Sequence, residues 1–262
     1  MTPQICHEAP LKLLRFSRTF NDYEYCLVHL LDKYPEYFEF FVESLKMGRR
    51  CILDNSIFEL GTAFDADKFA EWIIKLQPTE YIVPDALENT NETIEKFKKW
   101  KAKYVNLPGK KIGVVQGKNF EELTVCYNFM HQHADKIAIS FDYSYYFTIG
   151  KGVNPWQKFA NGRRECLRWM NECGVLRFDK PMHLLGCALP QELKSDPLYK
   201  QFDTVDTSNP IVHGIKGILY TEEGLTEKNP IKIVDLFEES FDCQQLENIL
   251  FNVDMFRKFV NE

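Results

Sequence analysis

The sequence predicts an α/β protein built as a closed (β/α)8 barrel, a TIM barrel in a single domain. Short apolar runs of strand length, most of them ending in a polar residue, recur along the chain with stretches of helical periodicity between them. Continuously apolar strands joined by helices bury both faces of a parallel sheet, which leaves a doubly wound sheet or a closed barrel. No strand is followed by a G-x-G-x-x-G or G-x-x-x-x-G-K-[ST] turn, which removes the commonest reasons for a doubly wound sheet. The length of 262 residues suits a barrel of about 250. No linker or low-complexity tract divides the chain, so residues 1–262 are read as one domain.

Six strands are explicit: CILDN (51–55), YIVPD (81–85), IGVVQG (112–117), KIAIS (136–140), MHLLG (182–186) and FDTVD (202–206). A further strand is expected within 11–31, and the eighth near IKGILYT (215–221). Helices are expected over 65–76, 89–103, 119–132, 156–174 and 190–200, several opened by Asp, Asn or Pro. Segment 222–245 has weak periodicity and reads as loop before a closing helix near 246–260.

A hydrophobic fraction of 45% with 14% aromatics excludes a disordered chain. No apolar window approaches membrane-spanning length, so no membrane partner is expected. The N-terminus MTPQICHEAP lacks the order of a secretory signal, so the protein is expected in the cytoplasm. Eight cysteines, no two closer than seven residues, read as reduced thiols, and with no C-x₂₋₄-C pair neither zinc nor another metal is predicted. A net charge of −6 argues against whole-surface attraction to nucleic acid but leaves three basic patches: Lys96 to Lys111, Arg49 with Arg50, and Arg163, Arg164 and Arg168. The ordinary reading of such a patch is a solvated helix face.

In a barrel the carboxyl ends of the strands converge on one face, so Asp54, Asp85, Gln116, Ser140, Gly186 and Asp206 should share one pocket. A single Asp at a strand end is more often a helix cap than a catalyst. Several buried carboxylates around one cavity are costly unless a ligand or a reaction uses them. They could bind Mg²⁺, form a glycosidase acid and nucleophile, or read the donor edge of a purine while one attacks a sugar. Spacing leaves these open.

Read in order, four motifs resemble the tRNA-guanine transglycosylase superfamily, a family of (β/α)8 barrels. ILDNSIFE (52–59) is similar to its L-T-D-S-G-G-[FY]-Q segment, and IGVVQGKNFEEL (112–123) to G-[IV]-[VI]-Q-G-G with a following E-[DE]-L. HLLGCALPQEL (183–193) is similar to L-[MG]-G-V-G-x-P-x-[DE]-L, and FDTVDTS (202–208) to D-x-[FM]-D-[CS]. Carried over by position, the resemblance implies that Asp206 is the nucleophile at the anomeric carbon, with Asp203 as the alternative, and that Asp54 is the general acid/base. It implies that Phe58 stacks on the purine, that Asp85, Gln116 and Gly117 read its edge, and that Leu185 and Gly186 line the base pocket. No cofactor is implied.

The glycine pair after Ser56 is missing, Glu59 replaces a Gln, and the C-x-C-x-x-C and His zinc site of the tRNA enzymes is absent. These departures bring the chain nearer to the DNA-directed branch, found in phages and bacterial genomic islands. That branch exchanges guanine in DNA for a 7-deazaguanine base, preQ0 or a derivative. DNA is therefore the expected partner. The alternatives are tRNA, with a homodimer or partner subunit supplying surface, an inactive nucleic-acid-binding relative, or an unrelated barrel hydrolase. A DNA substrate must surrender its guanine from the stack. Arg163 and Arg164, beyond the loop after KIAIS, are the expected phosphate contacts.

Overall fold

The computed structural model describes residues 2–262 and contains an eight-stranded, all-parallel sheet curled into a nearly closed barrel. The strands are β1 (Gln4–Cys6), β2 (Glu24–Leu27), β3 (Cys51–Asp54), β4 (Glu80–Ile82), β5 (Lys110–Val115), β6 (Lys136–Ser140), β7 (Met182–Leu185) and β8 (Thr204–Asp206). Their order is β1-β8-β7-β6-β5-β4-β3-β2, so all but one pair of sequence neighbours are also neighbours in space. All six explicit sequence strands are present, and the expected early strand is β2.

The eighth strand is not where the sequence reading put it. Residues 215–221 hold the end of the Asn209–Ile215 helix and a loop, and the strand beside β8 is the N-terminal Gln4–Cys6. Gly214 lets that helix press on the closing helix, where an added Cβ would sit 2.6 Å from the backbone of Ile249, and Gly217 turns the chain at a φ of 71°. Three residues are too few for β1 to show a period.

The long helices start where the capping signals say. Asp65, Asn89, Asn119, Asn154 and Asp242 each accept a hydrogen bond from the backbone N–H three residues on. They open Ala66–Leu76, Thr90–Lys103, Phe120–His133, Pro155–Glu172 and the closing helix Cys243–Asn261. Each turns an apolar stripe inward, as Phe69, Ala70, Ile73 and Leu76 do in the first. The expected helix over 190–200 is instead two 3₁₀ turns, Pro190–Leu193 and Tyr199–Gln201. Pro197 removes a backbone donor and forces Asp196 away from helical geometry, and Ser195 already sits at a φ of 57°. The sequence reading also missed the Pro35–Lys46 helix.

Between β1 and β2 there is no ladder. Asp22 spans the gap, donating its N–H to Ile5 O at 2.9 Å and accepting the Ile5 N–H on its carboxylate at 2.8 Å. Asn21 repeats the arrangement one step on, receiving the His7 N–H at 2.8 Å and donating to His7 O at 3.0 Å. No helix among the described residues is long and apolar enough to cross a membrane.

Candidate active site

Register brings the strand ends together. Cys6 pairs with Asp206, Leu27 with Asp54, and Ser140 with Leu185, so these positions lie at one rim of the barrel. There they surround a cavity of about 270 Å³ whose walls include Asp54, Phe58, Asp85, Gln116, Leu185, Gly186 and Asp206. With Ser140, which also lines it, eight of the residues expected in the pocket are therefore brought together.

Asp54 ends β3 almost fully buried. Tyr25 donates its hydroxyl to Oδ2 at 2.5 Å, and the Ser56 N–H donates to Oδ1 at 2.5 Å across a turn in which Ser56 takes a φ of 58°. Burial, reinforced by the negative charge of Glu59, pushes the Asp54 carboxyl up to about 8 against the pull of those two donors. The acid form is thus the main one at neutral pH. Asp206, ending β8, receives the Gly186 N–H on Oδ1 at 3.2 Å, and Nε2 of His183 lies 2.9 Å from the same oxygen. Two strand-end carboxylates of one pocket therefore have different surroundings.

Asp85 is buried under two amides, accepting from Asn55 Nδ2 at 2.8 Å and Gln116 Nε2 at 2.7 Å, and burial raises its pKa. Gln116 is itself fixed, because its Oε1 takes the Glu88 N–H at 2.8 Å. This cluster keeps one amide hydrogen and several carboxylate lone pairs free for a ligand. Phe58 stands half-exposed with its ring 5.7 Å from that of Phe141, and Lys232 lies over its face at 4.8 Å.

Gly186 has a φ of 65°, and a Cβ there would meet the Phe141 ring at 2.5 Å, so both backbone and space demand glycine.

Four expected site residues lie elsewhere. Gly117 faces away from the cavity and packs on the start of the Phe120–His133 helix, where a Cβ would come within 2.8 Å of Leu123 N. Asp203 precedes β8, at the opposite end of the barrel, where Arg50 at 2.5 Å and Lys136 at 2.8 Å hold it and lower its pKa to about 2. It cannot reach a sugar bound at the rim, so as a nucleophile it is corrected.

Arg163 is no phosphate contact. It is completely buried, paired with Glu192 at 2.5 Å, and donates to the carbonyls of Leu185 at 3.3 Å and Gly186 at 3.1 Å. It braces the pocket loop from beneath. Arg164 does reach the surface, in a separate depression with Lys151 and Arg168, and lies 3.6 Å from Asp196.

The other basic patches are partly occupied. Arg49 holds Glu24, Arg50 holds Glu80 and Asp203, and Lys96, Lys98 and Lys103 pair with Glu92, Glu95 and Asp67, while Lys99, Lys101, Lys110 and Lys111 have no carboxylate partner among the described residues.

Several pocket residues went unread. Glu8 follows the missed strand β1, and burial together with the charge of Asp206 lifts its pKa well above the carboxylate range. Tyr25 sits within β2, and Trp156 opens a helix. Lys228 comes from the 222–245 loop, with its ammonium 4.4 Å above Phe141 and 5.4 Å from Trp156. Its burial lowers its pKa. Only β2 carried a signal, since a tyrosine in a strand of alternating faces points either into the barrel or away from it. Neither a family model nor a curated protein matches the chain, and it is the chemistry of the pocket that points to a function.

Proposed function

We propose that this chain is a base-exchange glycosyltransferase that replaces guanine in DNA by a 7-deazaguanine base through a covalent aspartyl-sugar intermediate. One observation carries the reading: two carboxylates share a cavity, Asp54 being held largely protonated while Asp206 is held by donors on one oxygen. That division of labour is what a general acid and a nucleophile need.

In the first half-reaction Asp206 bonds to C1′ as the C1′–N9 bond breaks. The bonding pair leaves with guanine, which takes the Asp54 proton on a ring nitrogen. Asp54, now a carboxylate, then accepts the N9 proton of the incoming base, whose nitrogen attacks C1′ and frees Asp206. Asp85 and Gln116 read the purine edge, and Phe58 stacks on the base. Stabilisation of the oxocarbenium-like centre falls to the Asp206 carboxylate. Lys228 and Lys232 supply positive charge at the cavity, and Arg164 lies in the separate depression as a further contact for a long strand. DNA is taken as the acceptor from the motif resemblance.

The test is incubation with guanine-containing DNA, tRNA and a labelled 7-deazaguanine. Label in DNA is the expected result, and label in tRNA alone overturns the choice of DNA. A denaturation-resistant protein–nucleic acid adduct should form in the wild type and vanish in Asp206→Ala; its absence under every condition would leave an inactive relative as the reading.

A further inference from the structure

We propose that His183 is a positioning residue for Asp206: its Nε2–H engages Oδ1 of that carboxylate, which leaves Oδ2 as the oxygen that attacks the sugar. The attack rests on the base-exchange reading, whereas the hydrogen-bond arrangement can be measured without it.

His183 projects from β7 and is fully buried between two residues of β8. Its Nδ1 lies 2.7 Å from Thr204 Oγ1 and its Nε2 2.9 Å from Asp206 Oδ1. Thr204 Oγ1 is in turn 2.5 Å from the ammonium of Lys136, which also reaches Asp203 at 2.8 Å and Glu80 at 3.4 Å. An ammonium has three N–H groups and no lone pair, so Thr204 must accept from Lys136. The threonine proton is then free for Nδ1 of His183, and an imidazole that accepts at Nδ1 carries its hydrogen at Nε2. The opposite tautomer would set a ring lone pair against the carboxylate. Burial lowers the His183 pKa against the opposing pull of the Asp206 carboxylate, which favours the neutral ring.

Nε2 lies 2.9 Å from Oδ1 without yet forming a well-aligned hydrogen bond, and no other atom among the described residues takes that hydrogen. Catalytic hydrogen bonds in empty sites commonly align only when substrate arrives. Oδ1 also receives Gly186 N–H, so both donors fall on one oxygen, and among the described residues Oδ2 has none. In the attack Oδ2 bonds to C1′ while the C1′–N9 pair leaves with guanine and Asp54 supplies its proton. His183 transfers no proton; it fixes which oxygen faces the sugar.

Ring-¹⁵N NMR, with the His183 signal assigned by its loss in His183→Gln, reads the tautomer directly. A neutral ring protonated at Nε2 is expected, with its N–H signal moving in Asp206→Ala and the tautomer mixture shifting in Thr204→Val. In the exchange assay His183→Leu should lower kcat about 10²-fold with the KM for the free base unchanged. His183→Gln, whose amide can donate to the same oxygen, should recover about tenfold of that loss. A ring protonated at Nδ1, an N–H signal indifferent to Asp206→Ala, or wild-type kcat in a folded His183→Leu would each overturn the proposal. Should the wild type exchange no base at all, the functional reading fails while the NMR result still decides whether His183 holds Asp206.

Discussion

Asp54 and Asp206 occupy one cavity with different hydrogen-bond partners, Tyr25 and the Ser56 N–H at the first and the Gly186 N–H at the second. Asp54 moves from an ordinary value of 3.8 to about 8 because the folded chain desolvates it beside Glu59. A carboxyl whose folded pKa is raised takes up its proton more readily in the native state. The stability it contributes is therefore complete below about pH 4 and is withdrawn as pH rises through about 8. Asp54→Asn keeps the shape without the charge. Chemical denaturation should find it no more stable than wild type at pH 4 but more stable at pH 8, by at least about 1 kcal/mol; equal differences at both pH values would contradict the shift. On the base-exchange reading the same protonation governs activity. Base exchange should decline above about pH 8 as the acid is lost, and Asp54→Asn should cost about 10²-fold to 10⁴-fold in kcat while abolishing that decline in the residual rate.

At the scale of elements, the loop after β7 is held in place by a helix that lines the cavity only at its first turn, through Trp156. The Pro155–Glu172 helix sends Arg163 inward to Glu192 and to the carbonyls of Leu185 and Gly186, while its neighbour Arg164 points to solvent. Two adjacent arginines therefore make opposite predictions. Arg163→Ala strands the Glu192 charge in the interior and should cost about 3–5 kcal/mol of stability, without a specific effect on the salt dependence of nucleic-acid binding. Arg164→Ala should leave stability within about 0.5 kcal/mol and reduce the slope of log affinity against log salt by up to about 1. Thermal denaturation and a salt titration of DNA binding separate the pair, and a reversed assignment would return Arg163 to the surface. Sequence spacing could not make this distinction, because a basic run reads the same whether a residue faces water or a buried glutamate.

Over the whole molecule, the barrel was legible because the central strands are apolar runs and five long helices carry a side-chain cap, whereas the Pro35–Lys46 helix, which was missed, carries none. The rim acids Asp54, Asp85 and Asp206 were legible for the same reason, each being the polar end of such a run. What escaped notice is short or aperiodic: the three-residue β1, the Glu8 that follows it, and Lys228 in a loop set by tertiary contacts alone. The first of these, β1, forms a seam with β2 where Asp22 replaces a missing ladder and is anchored by Arg257 of the closing helix at 3.1 Å. Cys6 pairs directly with Asp206 across the other edge of β1, so a loosened seam would disturb the proposed nucleophile as well as the fold. Asp22→Ala removes the acceptor of the Ile5 N–H and the partner of Arg257, and it should cost about 1–3 kcal/mol. Native-state hydrogen exchange should show the Ile5 amide opening at lower free energy than those of β5 and β6, with the difference widened in Asp22→Ala and kcat for base exchange falling alongside it. If Ile5 instead stays protected to the global limit in that variant, the seam is closed by packing and Asp22 is only a surface partner of Arg257.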